Sequence, residues 1–443
     1  MISMTKSSIR FLLLGATLSL GSAEAASAPG SAAMYFTGFG ADTPGGKGGR
    51  VIRVTNLNRD GEGSLQAALA ASGPRIVVFE VGGIIDWRKR EVVVQNGQLT
   101  IAGETAPSPG ITIIRGTLTV AAPDVIVRHL RLRLGDGGDL KQPNWEADCM
   151  TAFGPAARNI LFDHCSTAWS IDENLSVSGP RVENGTARSV TIRNCIIAEG
   201  LDDSTHTKGP HSKGTLIHDF VRDVAIVGNF YAHDYNRNPF LKPNTTVFMA
   251  NNLIYDPVSA AIHFAWVPGE YKVIPHAMDP GELTAVANVF RMGPYTPPGL
   301  AMYTCTPGAP AGVGKLYQTD STVYSRKGKV MWAGDKGEKG HLAESQITIV
   351  DHPMLAPKGF TPLPVALTEA YVLQNAGARP KDRDSVDQRI IGDYLARKGG
   401  IIDSQDEVGG YPTATPTRRT LDVPAGADKI EAWLGDLRRE LEY

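Results

Sequence analysis

Ile160-Leu161-Phe162-Asp163-His164-Cys165-Ser166 and Val190-Thr191-Ile192-Arg193-Asn194-Cys195 follow one pattern: three strand-forming residues, a charged residue, then His or Asn followed by Cys. The same short strings recur on either side, at Val125-Ile126-Val127, Ala225-Ile226-Val227 and Val247-Phe248-Met249. His129, His164, Asn194, Asn229 and Asn251 each follow a string within a few residues, so a polar residue returns at one phase of the repeat. Short β-branched strings separated by Gly, Asn, Asp and Pro turns are strands, and a repeated supersecondary unit means a stack. No long helical segment intervenes before about residue 368, which argues against alternating strand and helix units. The expected fold is all-β, a parallel β-helix.

Working outward, Ser64-Leu65-Gln66-Ala67-Ala68-Leu69-Ala70-Ala71 places Leu65, Ala68 and Leu69 at helical spacing behind a Ser64 cap. That helix is expected to cover the open end of the coil. Thr37 to Gly49 is glycine-rich but lacks the Lys-Ser/Thr ending of a phosphate loop, and it reads as a loop before the strand Val51-Ile52-Arg53-Val54. Residues 290 to 350 are weakly patterned and read as long loops leading to late strands such as Gln346 to Val350. Helices are expected near Thr368–Ala376, Asp384–Arg397 and Lys429–Leu441. The resulting division is a signal peptide at 1–25, a β-helix at 26–350, and a partly helical extension at 351–443 packed on it.

Lys6 and Arg10 precede the apolar run Phe11 to Leu20, and Ala23-Glu24-Ala25 offers small residues for cleavage, the pattern of an export signal. The expected location is secreted or periplasmic, and no membrane span is expected. Four cysteines in 443 residues are too few for a disulfide scaffold, and buried free thiols are the preferred reading for Cys165 and Cys195. A formal net charge of -2 supplies no general field for nucleic acid, so a polyanion would need a local basic cluster.

Such a cluster follows an acidic one. Glu146 and Asp148 are two apart, and Asp172 and Glu173 lie beyond the next strand. In an extended strand, residues two apart share a side, and stacked turns lie about 4.8 Å apart, so these acids can converge on one hard cation such as calcium. The same spacing equally describes a solvated acidic edge. Lys213, Arg237 and Lys242 come later, suited to hold a carboxylate-bearing polymer; taken singly, each also reads as a surface ion pair. His206, His211, Asp202 and Asp203 read first as polar loop contacts, with a groove lining or a second metal group as the alternative. His211 and His233 are the histidines placed against substrate.

Glu146-x-Asp148, Asp163-His164-Cys165-Ser166 with Trp169-Ser170-Ile171-Asp172-Glu173, Lys213-Gly214-x-Leu216-Ile217, Arg237-x-Pro239 and Asn251-Asn252-Leu253-Ile254-Tyr255 stand in one order. In that order they resemble the pectate lyases of the right-handed parallel β-helix family, polysaccharide lyase family one. The resemblance runs from about residue 35 to 290. The tail motifs Val386 to Arg389 and Asp403 to Gly410 are similar to those of a divergent bacterial branch. It implies calcium held by Glu146, Asp148 and Asp172, with Glu173 compensating for Ser176, which stands where many members carry a fourth acid. It further implies Lys213 on the substrate carboxylate, Arg237 as the base, and Lys242 at the position of a substrate-binding arginine. Asp163 and His164 match a motif that is mainly structural. The implied activity is β-elimination on α-1,4-polygalacturonate by a secreted, calcium-dependent monomer. Another uronate polymer, methyl-esterified pectin, and a non-catalytic polysaccharide-binding β-helix are the rival readings.

Overall fold

The structure, a computed structural model, describes residues 34–138, 145–271, 278–333 and 346–443. The expected signal peptide lies outside them. Each turn of the coil contributes one strand to each of three parallel sheets. One turn supplies Arg158–Asp163, Ser166–Ala168 and Leu175–Ser178, and the next Arg188–Arg193, Ile196–Ala198 and Leu216–Ile217. Register is kept residue for residue: Ile160 pairs with Val190 and Val190 with Val224 in the first sheet, Ser166 with Ile196 and Ile196 with Phe230 in the second. Eleven strands line up in the first sheet, from Arg50–Val54 to Ile347–Ile349. The second and third sheets are joined at one end by the long strands Val81–Val94 and Ile111–Val120, which run through both. The fold is a parallel β-helix.

The polar phase of the repeat is a corner. His129, His164, Asn194 and Asn251 all have φ between 49° and 53°, turning the chain from the first sheet into the second. Gly228, at φ 72°, occupies that position in its turn, so Asn229 falls one residue further on than expected. Asn229 belongs instead to an internal ladder with Asn252 and Asn288. The Asn229 side-chain amide donates to Asn252 Oδ1 and that of Asn252 to Asn288 Oδ1, both at 2.9 Å. Cys195 begins this ladder: its backbone N–H donates to Asn229 Oδ1 at 2.8 Å. Stacked amides satisfy one another where water cannot reach. All four cysteines are buried free thiols.

The helix near the N-terminus is Leu65–Ala70, with Ser64 Oγ accepting from Ala67 N at 3.2 Å and Leu65, Ala68 and Leu69 buried. Residues 290 to 350 depart from the expectation of long loops. They carry Tyr303–Cys305, Gly314–Thr319 and Thr322–Tyr324, which continue the sheets. The pattern is weak because the strand Gly314–Thr319 has only Gly314 and Leu316 buried.

Three helices, Val365–Asn375, Ser385–Ala396 and Ala427–Leu441, follow. Ile430 and Leu434 of the last cover Ile76, Val78 and Ala102 on the outer face of the first sheet. This explains why the strand Arg75–Phe79 is apolar at the consecutive positions Ile76, Val77, Val78 and Phe79: both of its faces are buried. Asp384 caps Ser385–Ala396 and, with Asp387, receives Arg133 of the second sheet at 3.1 and 2.7 Å.

Candidate active site

The third sheet is approached by a short segment on each turn, and these segments stack. Glu173 and Lys213 form one parallel bridge and Lys213 and Asn236 the next, which sets Asp172-Glu173, Lys213 and Asn236-Arg237 on three successive turns. Asp148 enters from the turn before. Carboxylate oxygens of Asp148, Asp172 and Glu173 lie within 4.8 Å of one another. Ser176, in the strand that follows, donates its hydroxyl to Asp148 Oδ2 and lies 3.0 Å from Thr151 Oγ1. Asp148 Oδ1 accepts from Glu173 N at 3.1 Å.

Packing carboxylates this way is costly. Burial first, and then the Asp172 charge, push the Asp148 carboxyl up to about 8. Asp172 goes the other way: burial opposes its ionisation, but the His211 hydrogen bond, followed by His211, Arg237 and His206 charges, holds it below the usual carboxylate range. His211 Nε2 is 2.8 Å from Asp172 Oδ1, and the His211 ring stacks on His206 with centroids 3.7 Å apart. His206 and His211 could join Asp172 as a second ligand set. However, His206 Nδ1 accepts from Lys208 N at 3.1 Å, so the ring proton sits on Nε2, the atom such a metal would need. His211 is the hydrogen-bonding support for Asp172, with His206 stacked on it and 3.7 Å from the same carboxylate.

Arg237, at φ 67°, pairs with Glu173 and lies 3.9 Å from Asp172. Its guanidinium rests over Phe240 at 4.8 Å, and Phe240 stacks on His263 with rings 3° from parallel. Burial lowers the Arg237 pKa despite the nearby acids. Lys213 is also lowered by burial and sits close to Asp202, Asp172 and Asp234. Two cations with weakened hold on their protons thus face a group of crowded acids.

Other expected residues stand elsewhere. Glu146 is not in the carboxylate group: residues 145–148 have no strand geometry, so the two-residue rule does not apply, and Glu146 Oε1 accepts from Thr207 N at 2.8 Å and from its hydroxyl. It lines a cavity of about 380 Å³ together with Asp148, Glu91 and Trp145. His233, placed against substrate by sequence, is 0% exposed. It occupies a second column of corners, between the second sheet and the site segments, with Trp169, Glu199 and Asp256, all at φ between 54° and 68°. There its Nδ1 is 3.1 Å from Asp256 Oδ2, and Gly399 of the tail closes over it. Lys242 is 5% exposed and is paired with Glu270, with Asp219 at 3.8 Å. Glu91 was not foreseen. It reaches the site from the strand Val81–Val94, accepts from Thr119 Oγ1 at 2.6 Å, and adds to the charge that raises Asp148. Only strand register, Glu91 opposite Thr117, discloses it.

No protein-family profile matches the chain. It is 33% identical over 409 residues to "Probable pectate lyase C" of Neosartorya fischeri, covering 90% of this chain and 86% of that one. To the protein of the same name from Aspergillus flavus it is 33% identical over 425 residues with the same coverage. These relatives are fungal, not the bacterial members to which the tail motifs point. Among solved structures, a pectate lyase from Acidovorax avenae subsp. citrulli superposes with TM-score 0.54 at 12% identity, covering 82% of this chain and 99% of that one. A thermostable pectate lyase superposes with TM-score 0.53 at 16% identity, covering 78% and 97%.

Proposed function

The chain belongs to the pectate lyase family and is a polysaccharide lyase, and from that premise we propose that it cleaves α-1,4-polygalacturonate by calcium-assisted β-elimination. The observation that carries this reading is the stacking of Asp172-Glu173, Lys213 and Asn236-Arg237 on successive turns, which sets a base of lowered pKa beside acids able to hold a cation. The donor set fits calcium: Asp148, Asp172 and Glu173 are hard oxygen ligands whose carboxylate oxygens lie within 4.8 Å of one another. When bound, calcium would supply charge that draws in the uronate carboxylate and favours loss of the proton beside it.

The remaining steps fall to side chains. Lys213 holds the substrate carboxylate with its ammonium. Arg237 leaves Glu173 and, in its neutral form, takes the proton from carbon 5, next to that carboxylate. Burial favours that form because a desolvated guanidinium loses part of its hydration. The electron pair of the broken C–H bond forms the C4–C5 double bond, the C4–O bond breaks, and the departing oxygen takes a proton from water. Phe240 keeps water from the far face of the guanidinium. His211, supported by His206, fixes Asp172. Export by residues 1–25 would bring the enzyme to its polymer.

The test is the ultraviolet absorbance of the 4,5-unsaturated product with polygalacturonate at mildly alkaline pH, with calcium and then with chelator. A rise that chelator abolishes is expected. No rise on polygalacturonate, with turnover of another polyuronide, would reassign the substrate; failure on all of them, with binding kept, would make the protein a binding module.

A further inference from the structure

Arg158, Arg188 and Arg222 stand in register on three neighbouring strands, Arg188 being paired with each of the other two. They begin the strands Arg158–Asp163, Arg188–Arg193 and Arg222–Val227, where each turn passes from the third sheet into the first. The approach to the third sheet, with the acids and Arg237, is at the other end of that sheet. All three side chains are exposed, and among the described residues none makes an ion pair or side-chain hydrogen bond. Other arginines of the coil are answered by acids: Arg193 by Asp163, Arg133 by Asp384 and Asp387, Arg115 by Asp86. Backbones of in-register neighbours lie about 4.8 Å apart, so the coil sets three like charges on adjacent strands. Such a column offers three unanswered cations to a polyanion.

Beside it lies a cavity of about 430 Å³ lined in part by Arg188, Arg222, Phe220, Glu183 and Asp223. Phe220, at φ 67°, is one of the residues that line it.

We propose that the arginine column and its cavity are a second binding site for an acidic polysaccharide, separate from the acids around Arg237. Carboxylates repeating along the polymer meet guanidinium groups repeating along the coil, and planar guanidinium forks suit carboxylates. Phe220 takes the apolar face of a sugar ring. Glu183 and Asp223 accept from sugar hydroxyls. The ligand class rests on the polyuronide reading given above.

The experiment uses the full chain in chelator, so that no cation bridges polymer to the acids, and measures retardation in gels containing polygalacturonate. An Arg158→Gln/Arg188→Gln/Arg222→Gln variant, with its fold checked by thermal melting, is expected to bind at least about fivefold more weakly than the wild type. Lysine at the same three positions should restore part of the loss. Equal retardation of variant and wild type would overturn the proposal, as would equal retardation of the wild type by fully methyl-esterified polymer. Turnover of polygalacturonate by the wild type is scored separately. Turnover with unaltered variant binding defeats the column alone, whereas absent turnover defeats the functional reading without touching the binding comparison.

Discussion

Two columns of polar side chains cross the turns of this coil, and their charges are treated oppositely. Around the corner of His129, His164 and Asn194 every charge is answered. Arg193 donates to both Asp163 oxygens at 3.0 and 2.6 Å, His164 Nδ1 lies 2.9 Å from Asp163, and Glu442 of the tail reaches His129 at 3.0 Å. Although burial opposes it, Arg193 and His164 hold Asp163 well below the usual carboxylate range. Around Asp148, Asp172 and Glu173 acids outnumber close cations, and Asp148 is pushed up to about 8. Both columns arise because a parallel coil sets like positions one above another. A buried network in which each acid is paired with a base holds the tail to the coil; one in which acids crowd together is prepared for a cation and a substrate. The resemblance places Asp163 and His164 outside the site, and this contrast gives the physical reason.

The comparison can be broken first at Arg237. Arg237→Ala should lower kcat on polygalacturonate by about 10³-fold or more, within the upper range for loss of a positioned base, with a melting temperature close to that of the wild type. Retained activity would remove Arg237 from its role. The answered column should show the reverse. Asp163→Ala strands Arg193 in a buried place and is expected to cost about 3–5 kcal/mol in urea unfolding, as removal of one partner of a buried ion pair does. A smaller effect sharpens the contrast. Because the folded pKa of Asp148 lies above its ordinary 3.8, the folded state binds the proton more tightly, and stability falls as pH rises from 3.8 towards about 8. Metal-free protein should lose on the order of 5 kcal/mol across that window, calcium should restore it, and Asp148→Asn should flatten the profile. Melting curves against pH with and without calcium measure this, and a flat wild-type profile would show that Asp148 is not the strained group.

The strings around His164 and Asn194 determined the coil by themselves, since short β-branched segments returning with one polar phase have few other ways to bury their apolar side. The Ser64 cap and the three C-terminal helices were equally legible, because caps and helical periodicity are local. Residues 290 to 350 were not, since strands with few inward residues leave little pattern. At the site, the sequence placed Asp148, Asp172, Glu173, Lys213 and Arg237 in order, and the coil brings them together. It could not show that Glu146 turns to Thr207, that His233 lies beneath Gly399, that Lys242 is already held by Glu270, or that Glu91 arrives from a distant strand. Those outcomes depend on loop paths, on where the tail settles, and on register between turns far apart in the chain. Residue type and spacing say which charges exist; only tertiary packing decides which of them find a partner.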